Sequence, residues 1–211
     1  MTLRVGVLAS GAGTNLQALL DRVHGREGIA IVAVGSDVPG AAALDRAAAR
    51  DIPTETFPRV AYPDRPARDA AMAEWLAGHG AELVVLAGYM QLVTPEFLAR
   101  FPQRVINVHP ALLPAFQGLH AVEQALAYGV KVFGVTVHFV DEGVDTGPII
   151  AQRAAELPDA TEAAAVQDAL RPLEHDLLCG AVRSIAAGAV TIDPANPRRV
   201  RVGSLDKVPH P

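Results

Sequence analysis

The sequence predicts a single α/β domain: a doubly wound, Rossmann-like sheet that is mostly parallel, has an antiparallel edge and carries helices on both faces. Short β-type runs alternate with segments of helical periodicity from residue 4 onward, which is the pattern of βαβ units. Residues 83–87 (Leu-Val-Val-Leu-Ala) are continuously apolar, as in a strand at the centre of a parallel sheet. A chain of 211 residues can bury one large core of this kind.

The predicted elements follow one another without an internal repeat. Strands are predicted at residues 4–9, 29–35, 54–57, 83–87, 104–108, 131–140 and 148–152. Helices are predicted at residues 16–23, 41–50, 70–78, 95–100, 123–128 and 162–187. The strands at 131–140 and 148–152 are expected to pair as an antiparallel hairpin at the sheet edge. The domain is expected to span residues 1–190, with a C-terminal tail at 191–211.

Two features near the C-terminus carry their own expectations. Pro172 lies inside the last helical pattern, where a proline removes one hydrogen bond, so we expect the helix to kink or split there. Residues 193–211 are rich in Pro and Arg and lack periodicity, which predicts a mobile or partner-packed surface segment.

Composition excludes several classes of function. No run approaches the roughly 18 uninterrupted apolar residues of a membrane span, so we expect a soluble protein without a membrane partner. The start of the chain lacks a secretory pattern, which predicts a cytoplasmic location. A net charge of −5 gives no general attraction to nucleic acid. The single Cys179 excludes a disulfide framework and is expected to be an inert core residue.

Residues 10–15 (Ser-Gly-Ala-Gly-Thr-Asn) connect the first strand to the first helix. Such a loop exposes backbone N–H groups at the positive end of a helix, which suits a phosphate. Thr14 or Asn15 could also cap that helix.

A dinucleotide fold competes with this interpretation. Gly11 and Gly13 begin the dinucleotide fingerprint, and Asp37 follows the second strand where a ribose-binding acid would lie. Leu16 replaces the third glycine, and a threonine and an asparagine are better matched to one terminal phosphate. Asp37 is equally well explained as a turn residue.

The strand at 104–108 ends in two polar residues, Asn107 and His109, and Pro110 and Pro114 prevent its continuation. Side chains two residues apart on a strand share a face, and burying each without a partner would cost ~1–3 kcal/mol. Hydrogen-bond partners are therefore expected. A capping asparagine and a structural histidine remain the alternative.

Residues 143–148 (Gly-Val-Asp-Thr-Gly-Pro) form a second polar loop in which Asp145 is either a turn residue or a catalytic carboxylate. A metal site built from Asn107, His109, His120 and Asp145 can be imagined, but no short His-x-x-x-His or carboxylate cluster supports it. A triad hydrolase would need a Gly-x-Ser-x-Gly elbow, which the sequence lacks.

Several of these segments resemble the formyltransferase family that uses 10-formyltetrahydrofolate. The matching motifs lie at 107–110, 112–114, 118–120, 136–140 and 145–149, and the likeness extends over residues 3–187. It is closest to the branch that formylates N1-(5-phospho-D-ribosyl)glycinamide (glycinamide ribonucleotide) in purine biosynthesis. The resemblance implies this reaction, with 10-formyltetrahydrofolate as co-substrate, no metal, small-molecule substrates only, and a monomer or homodimer. It also implies a phosphate-binding half at about 1–100 and a folate and catalytic half at about 84–190.

The resemblance assigns roles to individual residues. It implies catalytic roles for Asn107, His109 and Asp145, phosphate contacts for Gly13, Thr14 and Asn15, acceptor contacts for Pro110 and Glu174, folate contacts for Tyr89, Met90, Gln91, Leu92, Val93, Val140 and Asp141, and supporting roles for Thr136, His120 and His138. The sequence departs from the family at three positions: Gln91 replaces a common Arg, Ala111 a common Ser, and Gln117 a common Pro.

Three other functions remain open. A hydrolase would use water as the acceptor, and a tRNA formyltransferase would use methionyl-tRNA. The resemblance implies that the hydrolases carry an additional N-terminal domain and the tRNA enzymes an additional C-terminal one. This chain is not expected to have either domain. A nucleotide-binding module would perform no chemistry and would not require Asn107, His109 and Asp145 together.

Overall fold

The computed structural model describes residues 2–203, which form a seven-stranded sheet, a two-stranded hairpin and six α-helices. The strands are β1 Leu3–Leu8, β2 Ile29–Ser36, β3 Thr54–Thr56, β4 Leu83–Leu86, β5 Val105–His109, β6 Val132–Phe139, β7 Ile149–Glu156, β8 Val190–Asp193 and β9 Asn196–Val202. The helices are α1 Thr14–Arg22, α2 Ala42–Ala48, α3 Arg65–Gly78, α4 Pro95–Arg100, α5 Ala121–Tyr128 and α6 Ala163–Ala186, with a 3₁₀ turn at Arg59–Ala61.

The main sheet has the strand order β3-β2-β1-β4-β5-β6-β7. Strands β1 to β5 are parallel, whereas β6 and β7 run antiparallel at one edge. The chain winds outward from β1 to β3 and then returns to β4 on the other side of β1. Ligands of open α/β sheets bind at such a switch point, beyond the carboxyl ends of the strands. The predicted fold class is confirmed.

The core lies on both faces of this sheet. One cluster joins the sheet to α1, α2, α5 and α6 through residues such as Leu16, Ala47 and Leu170. The other joins it to α3 and α4 through Met72 and Phe97. All four residues of β4 are buried, which explains their continuously apolar sequence. Within the described residues, no helix is long and apolar enough to cross a membrane.

Of the two outcomes expected at Pro172, a kink or a split of the helix, the split does not occur. The helix continues through Pro172 as a single element of 24 residues. Leu170 before the proline and Leu178 after it are both buried in the same core, so tertiary packing stabilises the helix on both sides. Pro172 and Asp168, whose carbonyl loses its helical partner, are exposed, so water can satisfy that carbonyl.

The predicted irregular tail is the second correction. Residues 190–202 form the antiparallel hairpin β8–β9, which packs beside β7. Val190, Ile192 and Val200 contact the main core and are partly buried, which explains why this polar segment is ordered as strands. The rest of the tail, residues 204–211, lies outside the described residues.

Candidate active site

Four polar side chains lie in two neighbouring pairs where β5 ends beside its antiparallel neighbour β6. The register pairs Asn107 with His138 and His109 with Thr136. His138, His109 and Thr136 are buried, and Asn107 is half-buried. Period-two alternation therefore brings Asn107 and His109 to the same face, as the sequence predicted.

The carboxylate of Asp145 reaches this cluster from the loop between β6 and β7. The Gly118 N–H donates to Asp145 Oδ2 at 2.8 Å, and Asn107 Nδ2 donates to Oδ1 at 3.3 Å. His109 Nδ1 lies 3.3 Å from Oδ2, and His138 Nε2 lies 3.5 Å from Oδ1. The structure thus brings together the three residues for which catalysis was predicted, around a side chain that is 15% exposed.

The two histidines have different hydrogen-bond surroundings. His109 Nε2 lies 2.8 Å from the Phe116 carbonyl oxygen, while its Nδ1 faces the Asp145 carboxylate. Both neighbours are acceptors, so only the imidazolium form of His109 can donate to both. His138 Nδ1 lies 2.8 Å from the Phe139 carbonyl oxygen, and its Nε2 lies 3.3 Å from Asn107 Nδ2 and 3.5 Å from Asp145 Oδ1. Nε2 can therefore accept from Asn107 when the ring is neutral, and it can donate to Asp145 when the ring is an imidazolium.

The electrostatic balance at Asp145 favours the carboxylate. Burial acts to raise the pKa of Asp145, but the hydrogen bonds from His138 and the Gly118 N–H, together with the charges of His109 and His138, outweigh it. The pKa of Asp145 therefore lies below its ordinary value. The group remains ionised as the pH falls towards that lowered pKa, and it can stabilise an imidazolium beside it.

The loop that carries Asp145 is closely fitted to the sheet. A Cβ at Gly147 would overlap the Phe139 carbonyl oxygen, and one at Gly143 would overlap the Thr146 hydroxyl, so both positions require glycine. Asp141 Oδ1 accepts from the Thr146 hydroxyl at 2.6 Å and from the Gly143 N–H at 3.2 Å. Asp141 thus closes this loop, and its predicted folate contact stays a prediction.

A second network extends from Thr136, which pairs with His109 across the two strands. Its hydroxyl donates to the Ala111 carbonyl oxygen at 2.7 Å and accepts from the Leu113 N–H at 3.1 Å. Gln152 Nε2 donates to Thr136 Oγ1 and to the Leu113 carbonyl oxygen, both at 2.9 Å. Thr136 therefore binds the segment after β5 at two positions, and its predicted supporting role in the site stays a prediction. Gln152 was missed, although its pairing with residue 136 in the β6–β7 hairpin follows from the strand register.

The glycine loop after β1 lines a cleft of about 240 Å³ at the switch point. Gly13 is the N-cap of α1, with φ 69° and ψ 33°, and within residues 2–203 no side chain caps this helix. Gly13 rather than Thr14 or Asn15 therefore occupies the N-cap position, which excludes the capping role considered for those two side chains. The first N–H groups of α1 remain available to an anion, because they have no partner within the helix.

Asn15 contacts α6 instead of capping α1. Its Nδ2 donates to Glu174 Oε2 at 3.1 Å, and its Oδ1 is buried with no partner among the described residues. Burial raises the pKa of Glu174, although the Asn15 hydrogen bond and the charge of Arg171 oppose this effect. Because α6 is continuous through Pro172, Glu174 lies beside the glycine loop, as its predicted acceptor contact requires.

The segment after β4 contributes Ala87, Gly88 and Met90 to the lining of the same cleft. The Ser10 hydroxyl accepts from the Met90 N–H at 2.9 Å and donates to Asp37 Oδ1 at 2.6 Å. Asp37 is thus engaged by Ser10 close to the glycine loop. Tyr89 is buried, whereas Met90 and Leu92 are 59% and 52% exposed, which is unusual for apolar side chains and suits contact with a ligand.

Other predicted residues lie near this site without entering the cluster. Gln91 is exposed and Val93 half-buried in the same segment, and Val140 and Pro110 are half-buried at the ends of β6 and β5. The His120 side chain is 76% exposed, 3.9 Å from Glu123, and it is not brought to the carboxylate of Asp145. Within residues 2–203, no group of three or more His, Cys, Asp or Glu side chains is arranged to hold a metal ion.

The sequence pattern of the formyl transferase family matches residues 3–182. A phosphoribosylglycinamide formyltransferase of Mycobacterium tuberculosis is 45% identical over 90% of this chain and 87% of its own length. The structure of glycinamide ribonucleotide transformylase 1 from Symbiobacterium toebii superposes with a TM-score of 0.92 at 45% identity, over 96% of this chain and 95% of that one. A formyltetrahydrofolate deformylase from Pseudomonas syringae pv. tomato superposes with a TM-score of 0.87 at 29% identity, over 97% of this chain and 67% of that one. The chain therefore belongs to the formyl transferase family, and its relatives there include phosphoribosylglycinamide formyltransferases.

Proposed function

We propose that this enzyme transfers the formyl group of 10-formyltetrahydrofolate to the glycyl amine of glycinamide ribonucleotide. The observation that carries this proposal is the convergence of Asn107, His109 and Asp145 at the carboxyl end of β5, at the same edge of the parallel sheet where β1 leads into the N-terminus of α1. Asn107, His109 and Asp145 suit acyl transfer from a neutral amide, and the N-terminus of α1 suits one phosphate.

The reaction forms one C–N bond and breaks another. The acceptor amine attacks the formyl carbon, and the tetrahedral adduct carries an oxyanion. Asn107 Nδ2 and the His109 imidazolium donate hydrogen bonds to this oxyanion. In the structure the same N–H groups face Asp145 and the Phe116 carbonyl, so the oxyanion has to compete with these two acceptors. Loss of one such donor commonly raises a barrier by ~3–4 kcal/mol.

Asp145 manages the proton of the attacking nitrogen in this proposal. Its lowered pKa keeps it ionised, so it orients His109 through Nδ1 and relays the amine proton towards N10 of the folate. The C–N10 bond then breaks, which leaves tetrahydrofolate and the N2-formyl product. Residues of this chain perform every step, with His138 and the Gly118 N–H holding the carboxylate in place.

The substrates occupy two adjoining parts of the cleft. The acceptor phosphate binds the backbone N–H groups of Gly13, Thr14 and Asn15, and Glu174 and Pro110 contact the rest of the acceptor. The folate binds beside residues 88–93 and 140–141, where the exposed Met90 and Leu92 side chains flank it. A cytoplasmic location and a monomeric or homodimeric state stay predictions.

The identity of the acceptor is tested by following release of tetrahydrofolate. We expect slow release in water and rapid release once glycinamide ribonucleotide is added. The dephosphorylated acceptor should be much poorer, because a phosphate held by several charge-assisted hydrogen bonds positions the amine. Rapid release without an acceptor would support a hydrolase, and no release with any acceptor would support a binding module. The Asp145→Asn variant is the control for turnover at this site.

A further inference from the structure

The backbone that carries Asp145 is held from outside its own loop. Gln117 Nε2 donates to the Asp145 carbonyl oxygen at 3.1 Å, and the Arg198 guanidinium donates to the carbonyl oxygen of the next residue, Thr146. We propose that Gln117 and Arg198 are positioning residues for the Asp145 carboxylate, so that the C-terminal hairpin β8–β9 is part of the active site. The kinetic consequence rests on the proposed formyl transfer.

The backbone at Asp145 requires support. Its φ is 52°, in the left-handed region that costs a side chain other than glycine about 1–2 kcal/mol. A conformation of this kind persists only when surrounding contacts over-determine it. Inside the loop, Asp141 joins the Thr146 hydroxyl to the Gly143 N–H, but these bonds do not tie the loop to the rest of the molecule.

Residues 117 and 118 contact both the main chain and the side-chain carboxylate of Asp145. The Gln117 side chain binds the main-chain carbonyl of Asp145, and the N–H of the next residue, Gly118, binds the carboxylate at 2.8 Å. A displacement of the loop by about 1 Å would therefore lengthen the contacts of the carboxylate with Gly118 and His109 together. Misplacement on that scale can cost a catalytic rate up to about 10²-fold.

The hairpin gives Arg198 a fixed base. Strand β9 lies beside β7, and Val190, Ile192 and Val200 of the hairpin pack against the main core. The family match ends at residue 182, so this contact comes from a part of the chain beyond it. Arg198 thereby connects the hairpin to the catalytic loop through one charge-assisted hydrogen bond.

The test compares Arg198→Ala with Arg199→Ala, which removes the same charge from the adjacent exposed position, on the opposite face of the strand. We expect Arg198→Ala to lower kcat about 10-fold and to move the acid limb of the kcat profile to higher pH, while KM for the acceptor stays within about twofold. Arg198→Lys should recover part of the loss. Gln117→Leu should act in the same direction.

A readout without turnover separates this proposal from the proposed function. NMR titration of the Asp145 carboxyl should give a higher pKa in Arg198→Ala than in the wild type, whatever reaction the enzyme performs. Equal kcat, equal acid limb and equal carboxyl titration in Arg198→Ala and Arg199→Ala would overturn the positioning role. If the wild type transfers no formyl group but the titration still moves, the proposed function fails and the positioning role stands.

Discussion

Gly13→Ala is the substitution whose effect follows most directly from the structure. Gly13 has φ 69° and ψ 33°, and the left-handed conformation costs alanine about 1–2 kcal/mol. A Cβ at this position would also lie 2.8 Å from both the Cα and the Cβ of Ala43 in α2, well inside the usual 3.5–4.0 Å contact distance. Overpacking of this kind costs about 1–3 kcal/mol, so we expect a loss of about 2–5 kcal/mol in the free energy of unfolding.

The steric overlap with Ala43 should also weaken binding of the acceptor phosphate. The loop or α2 has to move, and the N–H groups at the start of α1 move with it. Losing one charge-assisted hydrogen bond of about 1.5–3 kcal/mol would reduce phosphate affinity about 10- to 150-fold. Folate affinity should stay within about twofold if the folate binds beside residues 88–93 and 140–141 as proposed. Urea unfolding measures the first effect, and calorimetric titration of each substrate measures the second.

Gly11→Ala is the matched control for stability. Among residues 2–203, no atom beyond its chain neighbours lies within 4 Å of a Cβ placed at Gly11, so the free energy of unfolding should change by less than about 0.5 kcal/mol. If Gly13→Ala is as stable as Gly11→Ala, the steric argument fails. If Gly13→Ala loses folate and acceptor affinity equally, the assignment of the loop to the phosphate is refuted.

The remaining predictions concern the catalytic cluster and α6. Asp145→Asn should keep both substrate affinities within about tenfold while kcat falls ~10²–10⁴-fold in single-turnover experiments, and a near-normal rate would remove Asp145 from the mechanism. In the proposed mechanism Asn107 and His109 donate to one oxyanion, so the double variant Asn107→Ala/His109→Ala should lose less activity than the two single losses predict; strict additivity would contradict this. Burial raises the pKa of Glu174, so its contribution to stability is present below the ordinary value of 4.5 and is lost as the pH rises through the raised pKa. Glu174→Gln should therefore raise Tm at pH 7 and change it little at pH 4, whereas equal shifts at both pH values would show that the carboxylate is not the cause.

Side chains with a regular spacing were predictable from the sequence. Asn107 and His109 share a face because strands have a period of two, and the prolines after them mark the end of the strand. Two backbone partners in the cluster were not predictable, because the Phe116 carbonyl that faces His109 and the Gly118 N–H that donates to Asp145 have no sequence signature. Their positions depend on a loop that the sequence shows only as turn residues.

The errors arose where tertiary packing outweighs local propensity. Pro172 is unfavourable in an isolated helix, but the buried leucines on either side of it hold α6 together. The hairpin at 190–202 alternates Val190, Thr191 and Ile192, a period of two that is too short and too polar to stand out. Val190, Ile192 and Val200 are partly buried only because the main core lies beneath them.

The strand order β1-β4-β5 has a consequence for the choice of acceptor. The glycine loop follows β1 and the catalytic pair ends β5, with β4 between them. Two strand spacings amount to roughly 10 Å, and this separation is set by backbone hydrogen bonds across the fully buried β4 rather than by flexible side chains. In the proposed reaction, the sheet therefore fixes the separation between the site that binds the acceptor phosphate and the site where the acceptor amine reacts. An acceptor analogue with one additional methylene between its phosphate and its amine should still bind through the phosphate. Its amine should then lie beyond the formyl carbon and react poorly.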